Sequence, residues 1–361
     1  MRLTALIHVK RASFSLLNQQ MNKGCLANNC QVGDDAHNWL FADAFDPRQC
    51  KGCRRRDSVA EDSRGVTPRP MHRREIAMAY KSLLTVVTDP ATVTHTFAAA
   101  IALARREDAH LDVLCVGVDN SQVGYYYPGS VAVILQDEIE RAEQDAATLA
   151  DLVNTHLINE GLRWSSETAI AYLGAVSDLI AGRARYADLV ILPKPYGKNA
   201  SVYAEAVLEA ALFQGQTPVL VVPTAGLPVA LGNMTLGQEI VVAWNESSEA
   251  LVAVRSALPL LCAAKHVTIA IIDPPTRSFE RSDPGGALAQ LLARHGVHAE
   301  VTVLAKTLPR VTDVLNRLIR DKAADLLVMG AYGHSRFREA VLGGATRDML
   351  ELAEIPVLMA R

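Results

Sequence analysis

The sequence predicts an α/β protein made of two tandem copies of one unit, each a parallel sheet with helices on both faces. Three observations lead there. From Met78 onward, short apolar runs of strand length alternate with longer stretches of helical period, the order that right-handed crossovers impose on a parallel sheet. Some of the runs, Leu326 to Met329 among them, are apolar throughout rather than alternating, the mark of strands buried on both faces. The order also repeats. Asp188-Leu-Val-Ile-Leu matches Asp325-Leu-Leu-Val-Met, and Thr217-Pro-Val-Leu-Val matches Ile355-Pro-Val-Leu-Met, so the chain carries an internal duplication.

Taken in order, Leu83 to Val87 is the first strand, closed by Asp89-Pro90. A helix follows with Val93, Phe97, Ala100, Ile101 and Ala104 at i, i+4, i+7 and i+8, one apolar stripe. Leu111 to Val118 is a strand, and a long helix then runs to about Asn159 with Ile139, Ala142, Ala146, Leu149 and Val153 on one face. Ser166 to Tyr172 is a weaker strand, Ser177 to Tyr186 a helix, Asp188 to Leu192 a strand, Ala204 to Phe213 a helix and Pro218 to Val222 the fifth strand. The second copy reads as a strand over Ile240 to Trp244, a helix over about Ser248 to Ala264, a strand over Val267 to Ile272 and a helix over Leu288 to His295. Strand Val301 to Leu304, a helix marked by Val311, Val314, Leu315, Leu318 and Ile319, strand Leu326 to Met329, helix Ala345 to Glu354 and strand Pro356 to Met359 complete it. The division is an arm over residues 1–77, a first domain over 78–223, a linker rich in Gly and Pro over 224–238 and a second domain over 239–361.

The stretch with most chemical content follows Leu326 to Met329. Gly330 and Gly333 suit positive φ and close approach by a ligand, and nine residues later Gly343-Gly344 open a helix. A glycine turn at a strand's carboxyl end, faced by a helix N-terminus, offers backbone N–H groups and a favourable dipole to phosphate. The pattern Gly-x2-Gly-x9-Gly, after a strand ending Val-Met-Gly and before Ile355-Pro-Val-Leu-Met, resembles the signature of the universal stress protein family. The resemblance covers about residues 79 to 361 as two copies. It implies flavodoxin-like (adenine nucleotide alpha hydrolase-like) domains, five-stranded sheets of order 3-2-1-4-5, packed as an intrachain pseudo-dimer, with a homodimer as a further assembly.

The resemblance also implies a ligand, ATP or another adenine nucleotide. In nucleotide-binding relatives the glycine loop takes the phosphates, a Ser or Thr follows the last glycine, and an Asp ending the first strand touches the nucleoside. Carried over here, the site consists of Asn245, Gly330, Gly333, Gly343, Gly344 and Thr346. Two departures stand out. Gly344 occupies the Ser/Thr place, so a hydroxyl must come from Thr346, and Asn245 stands for the Asp, keeping an acceptor oxygen without the charge. The first copy carries Asp89, read here as the nucleoside Asp, but its loop is Pro193-Lys-Pro-Tyr-Gly197, whose prolines remove N–H donors; it reads as structural. His334, Arg336 and Arg338 lie in the nine-residue spacer, either as solvated charges or as charge-assisted donors to phosphate.

Composition bounds the function. The chain has 361 residues, half of them hydrophobic, with a net charge of −3 at pH 7, which argues against a general affinity for nucleic acid. No apolar run approaches the ~18 residues of a membrane span, and the main body, with only Cys115 and Cys262, reads as cytoplasmic. The arm differs, with 13 Lys and Arg against 8 Asp and Glu. Its Cys25, Cys30, Cys50 and Cys53 approach the spacing of a four-thiolate zinc site, and its acid-free opening resembles a targeting segment. The reading preferred here takes Met78 as the natural start and the arm as upstream sequence. Gly-x-Ser-x-Gly, His-Glu-x-x-His and the Gly-x-x-x-x-Gly-Lys-Ser/Thr loop are all missing from the sequence, and Ser247-Ser248 reads as a helix cap rather than a nucleophile. The expectation is a non-enzymatic stress-response factor, with a nucleotide-independent interaction protein, a slow ATPase and a zinc-dependent adaptor as rivals.

Overall fold

In the computed structural model, residues 79–120, 131–197, 200–223, 236–274, 282–331 and 344–361 are described, those of 131–135 by backbone alone. All fall in one compact unit. The first half contributes strands β1 (Ser82–Val87), β2 (His110–Asp119), β3 (Arg163–Tyr172), β4 (Leu189–Pro193) and β5 (Val219–Val222), with helices α1 (Val93–Glu107), α2 (Val131–Leu157), α3 (Val176–Ala184) and α4 (Ala204–Glu209). The second contributes β6 (Glu239–Ala243), β7 (His266–Ile272), β8 (Ala299–Leu304), β9 (Leu326–Gly330) and β10 (Val357–Ala360). Its helices are α5 (Ser248–Ser256), α6 (Leu258–Ala263), α7 (Gly286–Arg294), α8 (Val311–Asp321) and α9 (Ala345–Leu352).

Each half has the order 3-2-1-4-5, and the two sheets are one. The ten strands run β3-β2-β1-β4-β5-β10-β9-β6-β7-β8. Within each half every pair is parallel; at the seam β5 and β10 pair antiparallel, with Val221 opposite Val357 and Val219 opposite Met359. One face is covered by α1, α2, α5, α6 and α7, whose Phe97, Leu103, Val153, Val254 and Leu292 pack on it. The other carries α3, α4, α8 and α9, seated through Ile180, Leu208, Leu315 and Leu350. The central strands β4, β5, β9 and β10 are buried along almost their whole length, which is why their sequences run apolar without alternation.

Two helices differ from the expectation. The stretch Ser248 to Ala264 is not one helix but α5 and α6, parted at Ala257. Pro259 is the cause: it has no N–H to give and its ring crowds the carbonyl four residues back, so the backbone bonding resumes with Leu260 N and Leu261 N, both donating to Ala257 O at 2.9 Å. Ala204 to Phe213 begins as α-helix but widens to a π turn over Ala210–Gln214. Elsewhere the expected elements stand with ends moved by a few residues; the third strand begins at Arg163 rather than Ser166.

Local sequence explains the helix starts. Ser247 Oγ accepts from Ala250 N at 3.1 Å, the cap expected of it. Asp89 caps a 3-10 turn over Pro90–Thr92, with Pro90 in the first turn, where its missing N–H costs nothing. At the other end of the sheet, Asp325 accepts from the backbone of Gly237, Gln238 and Glu239 at 3.1, 2.9 and 3.1 Å. Asp188 does the same for Lys81 and Ser82 at 2.6 and 2.9 Å. The repeated Asp of the duplicated motif therefore clamps the start of one central strand to the start of its neighbour.

Candidate functional site: a crevice at the carboxyl ends of β6 and β9

β6 and β9 lie side by side, but the chain leaves them in opposite directions, towards β7 from the first and β10 from the second. Connections diverging from adjacent parallel strands leave a crevice at their carboxyl ends, the usual ligand position in open α/β sheets. Here it is a cavity of about 230 Å³. Trp244 and Asn245 come from the end of β6, Met329 and Gly330 from β9, Val311 and Leu315 from α8, and Ala345 from the start of α9. The walls are mainly apolar, and no charged side chain of the described residues lines the cavity. Such a surface suits a planar, uncharged ring system, and its polar elements are few and specific.

The described part of the predicted site converges here. Asn245 and Gly330 both line the cavity, and Gly344 and Thr346 flank the lining residue Ala345. Gly333 and Gly343 lie outside the described residues, as do His334, Arg336 and Arg338. Gly344 is the N-cap of α9, in extended backbone (φ −80°, ψ 150°), and makes no side-chain cap. Thr346 is buried in the first turn of α9. Asn245 is exposed, and its Oδ1 accepts from Ser247 N at 3.2 Å, which fixes the carboxamide at the mouth.

Gly330 has a different role from the one expected. It is not among the positive-φ glycines. A Cβ at this position would meet Ala250 N at 2.5 Å and Glu249 C at 2.7 Å. The missing side chain lets the N-terminus of α5 sit directly against the end of β9; it serves packing before any ligand.

The strand ladder gives a one-residue offset between Asp89 and Asn245, although each accepts from the backbone N–H two residues on. Leu189 and Leu326 each follow the repeated Asp; the first pairs with Leu83 and the second with Ile240. Counting forward from that match, Thr88 holds the place of Asn245, and Asp89 lies one residue further on. Asp89 uses its carboxylate locally, accepting from Ala91 N at 2.9 Å.

A cavity of the first half beyond the carboxyl end of β1, about 210 Å³, has a different character. Asp89 and Asp145 face it, and Tyr203 enters it. Tyr203 is the N-cap of α4, the place Gly344 holds at α9, and its hydroxyl lies 2.7 and 2.9 Å from the two carboxamide atoms of Asn120. Two carboxylates and a phenol are a poor setting for phosphate, in keeping with the prolines at 193 and 195. Sequence reasoning missed Tyr203, although a bulky residue just ahead of α4, where the second half has glycine, was a visible signal. It also missed Trp244, whose position beside Asn245 at a strand end was the available clue.

Other clusters are not catalytic in geometry. His110 Nε2 approaches both Ser165 Oγ (3.1 Å) and Asp112 Oδ1 (3.3 Å), while Ser165 Oγ donates to Asp112 Oδ1 at 2.5 Å. A triad needs the imidazole between hydroxyl and carboxylate, one nitrogen for each; here one nitrogen faces both, and the His110 and Asp112 side chains are half-exposed. Burial pushes the Cys115 thiol up to about 11, which leaves it an inert core residue. Among the described residues no group of three or more His, Cys, Asp or Glu could hold a metal, and no helix is long and apolar enough to cross a membrane. The four N-terminal cysteines and Met78 lie outside the described residues.

Comparison with known proteins places these features. The universal stress protein Slr1230 of Synechocystis sp. is 38% identical over 76 residues, which is 21% of this chain. The chain spans only a quarter (25%) of that relative's length. The crystal structure of a universal stress protein from Archaeoglobus fulgidus DSM 4304 aligns over 77% of this chain and 98% of its own, with a TM-score of 0.53 at 10% identity, a likeness of fold alone. Residues 238–361, the half that holds the crevice, match the model of the universal stress protein family.

Proposed function

We propose that the chain is a tandem universal stress protein, a non-enzymatic stress-response factor whose second half binds an adenine nucleotide in the crevice between β6 and β9. The observation that carries this reading is the convergence of Asn245, Gly330 and the N-terminus of α9 on one apolar cavity at a switch point. The ring system fits against Trp244, Ile272 and Val311, and phosphate lies towards the N–H groups that open α9, where the helix dipole favours an anion. The crevice offers no carboxylate to serve as general base among its described lining residues, which supports binding rather than turnover.

Calorimetry with ATP on the full chain and on Gly344→Ser tests the proposal. The added hydroxyl at the start of α9 is worth ~0.5–1.5 kcal/mol as a neutral hydrogen bond and up to about 3 with charged phosphate. ATP affinity is expected to rise roughly three- to a hundredfold, since 1.4 kcal/mol is a factor of ten. Absence of ATP binding in both proteins favours the nucleotide-independent interaction protein instead.

A further inference from the structure

We propose that Lys194 and Tyr196, in the loop of the first half that has no phosphate cradle, are positioning residues for the ligand crevice of the second half. The inference rests on the nucleotide reading given above but stands on separate contacts. β4 ends at Pro193, and the loop then turns towards the seam between the halves, with Lys194 N held by Val222 O at 3.0 Å and Pro195 buried. From there both side chains reach one helix of the other half. Lys194 Nζ donates to the carbonyl of Ala353, the C-cap of α9, at 3.3 Å. The Tyr196 ring lies under the guanidinium of Arg347, in the first turn of α9, 5.1 Å from Cζ to the ring centroid. The ring is itself fixed, since its hydroxyl donates to Glu205 Oε1 at 2.9 Å.

α9 needs such anchors. It is eight residues long, and Gly344 gives its N-terminus no side-chain cap. Thr346, Met349 and Leu350 seat it on the sheet, but apolar contact is non-directional and tolerates sliding along the helix axis. The two contacts from the first half are directional and sit at opposite ends of the helix: a cation over an aromatic face, and an ammonium on a C-terminal carbonyl, where the helix dipole favours it. Ala345, at the near end of the same helix, is a wall of the crevice. A shift of α9 along its axis moves that wall and the N–H groups beside it. The two prolines that remove the cradle from the first half stiffen the loop that delivers Lys194 and Tyr196.

The test compares the full chain with a Lys194→Met, Tyr196→Leu double variant and with Tyr196→Phe, which keeps the aromatic face. Amide hydrogen exchange over residues 345–352 is expected to speed up about tenfold or more in the double variant, with α8 unchanged. ATP affinity is expected to fall about three- to tenfold, and Tyr196→Phe should restore both properties. Unchanged exchange in α9 overturns the inference, as does an equal rise across α8 and α9, which would mean general loosening of the fold. If the unaltered chain binds no ATP, the nucleotide reading fails, and exchange in α9 alone decides whether the first half positions this helix.

Discussion

At Gly330 the space beside Cα belongs to helix α5, and this changes what a substitution there should do. A methyl group would press on backbone atoms of Glu249 and Ala250, which cannot swing aside as a side chain would. Overpacking of this kind costs ~1–3 kcal/mol. Gly330→Ala is therefore expected to lower the urea midpoint with an unchanged m-value; a variant as stable as the parent would show that α5 can back away freely. The residue scale is also where sequence reading divides most sharply. Ser247 was legible as a cap because its partner, Ala250, is three residues away. The packing role of Gly330 was not, because Ala250 lies 80 residues before it and only the sheet brings the two together. Asp89 was matched to Asn245 by their common place after a strand, but a one-residue offset is decided by ladder register, which has no local signature.

At the scale of elements, the paired Asp188 and Asp325 show how a motif read as a repeat marker acquires a physical task. Each carboxylate gathers backbone N–H groups where a neighbouring strand begins, and thereby sets the register of β1 against β4 and of β6 against β9. Burial of Asp325 outweighs its backbone donors and raises its carboxyl above the ordinary range. The native state then holds this proton more tightly than the unfolded chain does. Its titration contributes stability that is fully present below the ordinary carboxylate value and is lost as pH rises through the raised native value. Denaturant titrations over that window should show wild-type stability falling with pH relative to Asp325→Asn, in which the group cannot ionise. A difference that does not vary with pH, or one that grows in favour of wild type, would contradict the assignment. The helices taught a related lesson. Apolar periodicity gave α1 and α8 almost whole, whereas Pro259 divides α5 from α6 inside the span Ser248 to Ala264 that reads as a single helix.

For the whole molecule, the seam between β5 and β10 decides whether the halves are separable. Both strands are buried along their full length, and each would be an apolar sheet edge if its partner were removed. Contacts on both faces reinforce the pairing. On one, the Tyr80 hydroxyl donates to Ser256 O at 2.6 Å and Arg106 Nη1 to Leu236 O at 2.6 Å. On the other, Arg361 lies over the Phe213 ring at 4.7 Å and Lys194 reaches Ala353. The tyrosine is deeply buried, and burial pushes its hydroxyl well above the usual phenol range, so it stays protonated as a donor across the working pH range. Residues 78–223 and 236–361 expressed apart should therefore each aggregate, or form dimers that pair the bared strand with its copy. Mixed during refolding, they should form a soluble one-to-one complex in which the antiparallel β5–β10 pair is restored. Size-exclusion chromatography with light scattering distinguishes these states. A half that ran as a soluble, folded monomer would show that the seam is dispensable, and the loop carrying Lys194 and Tyr196 would then have no fixed platform from which to hold α9.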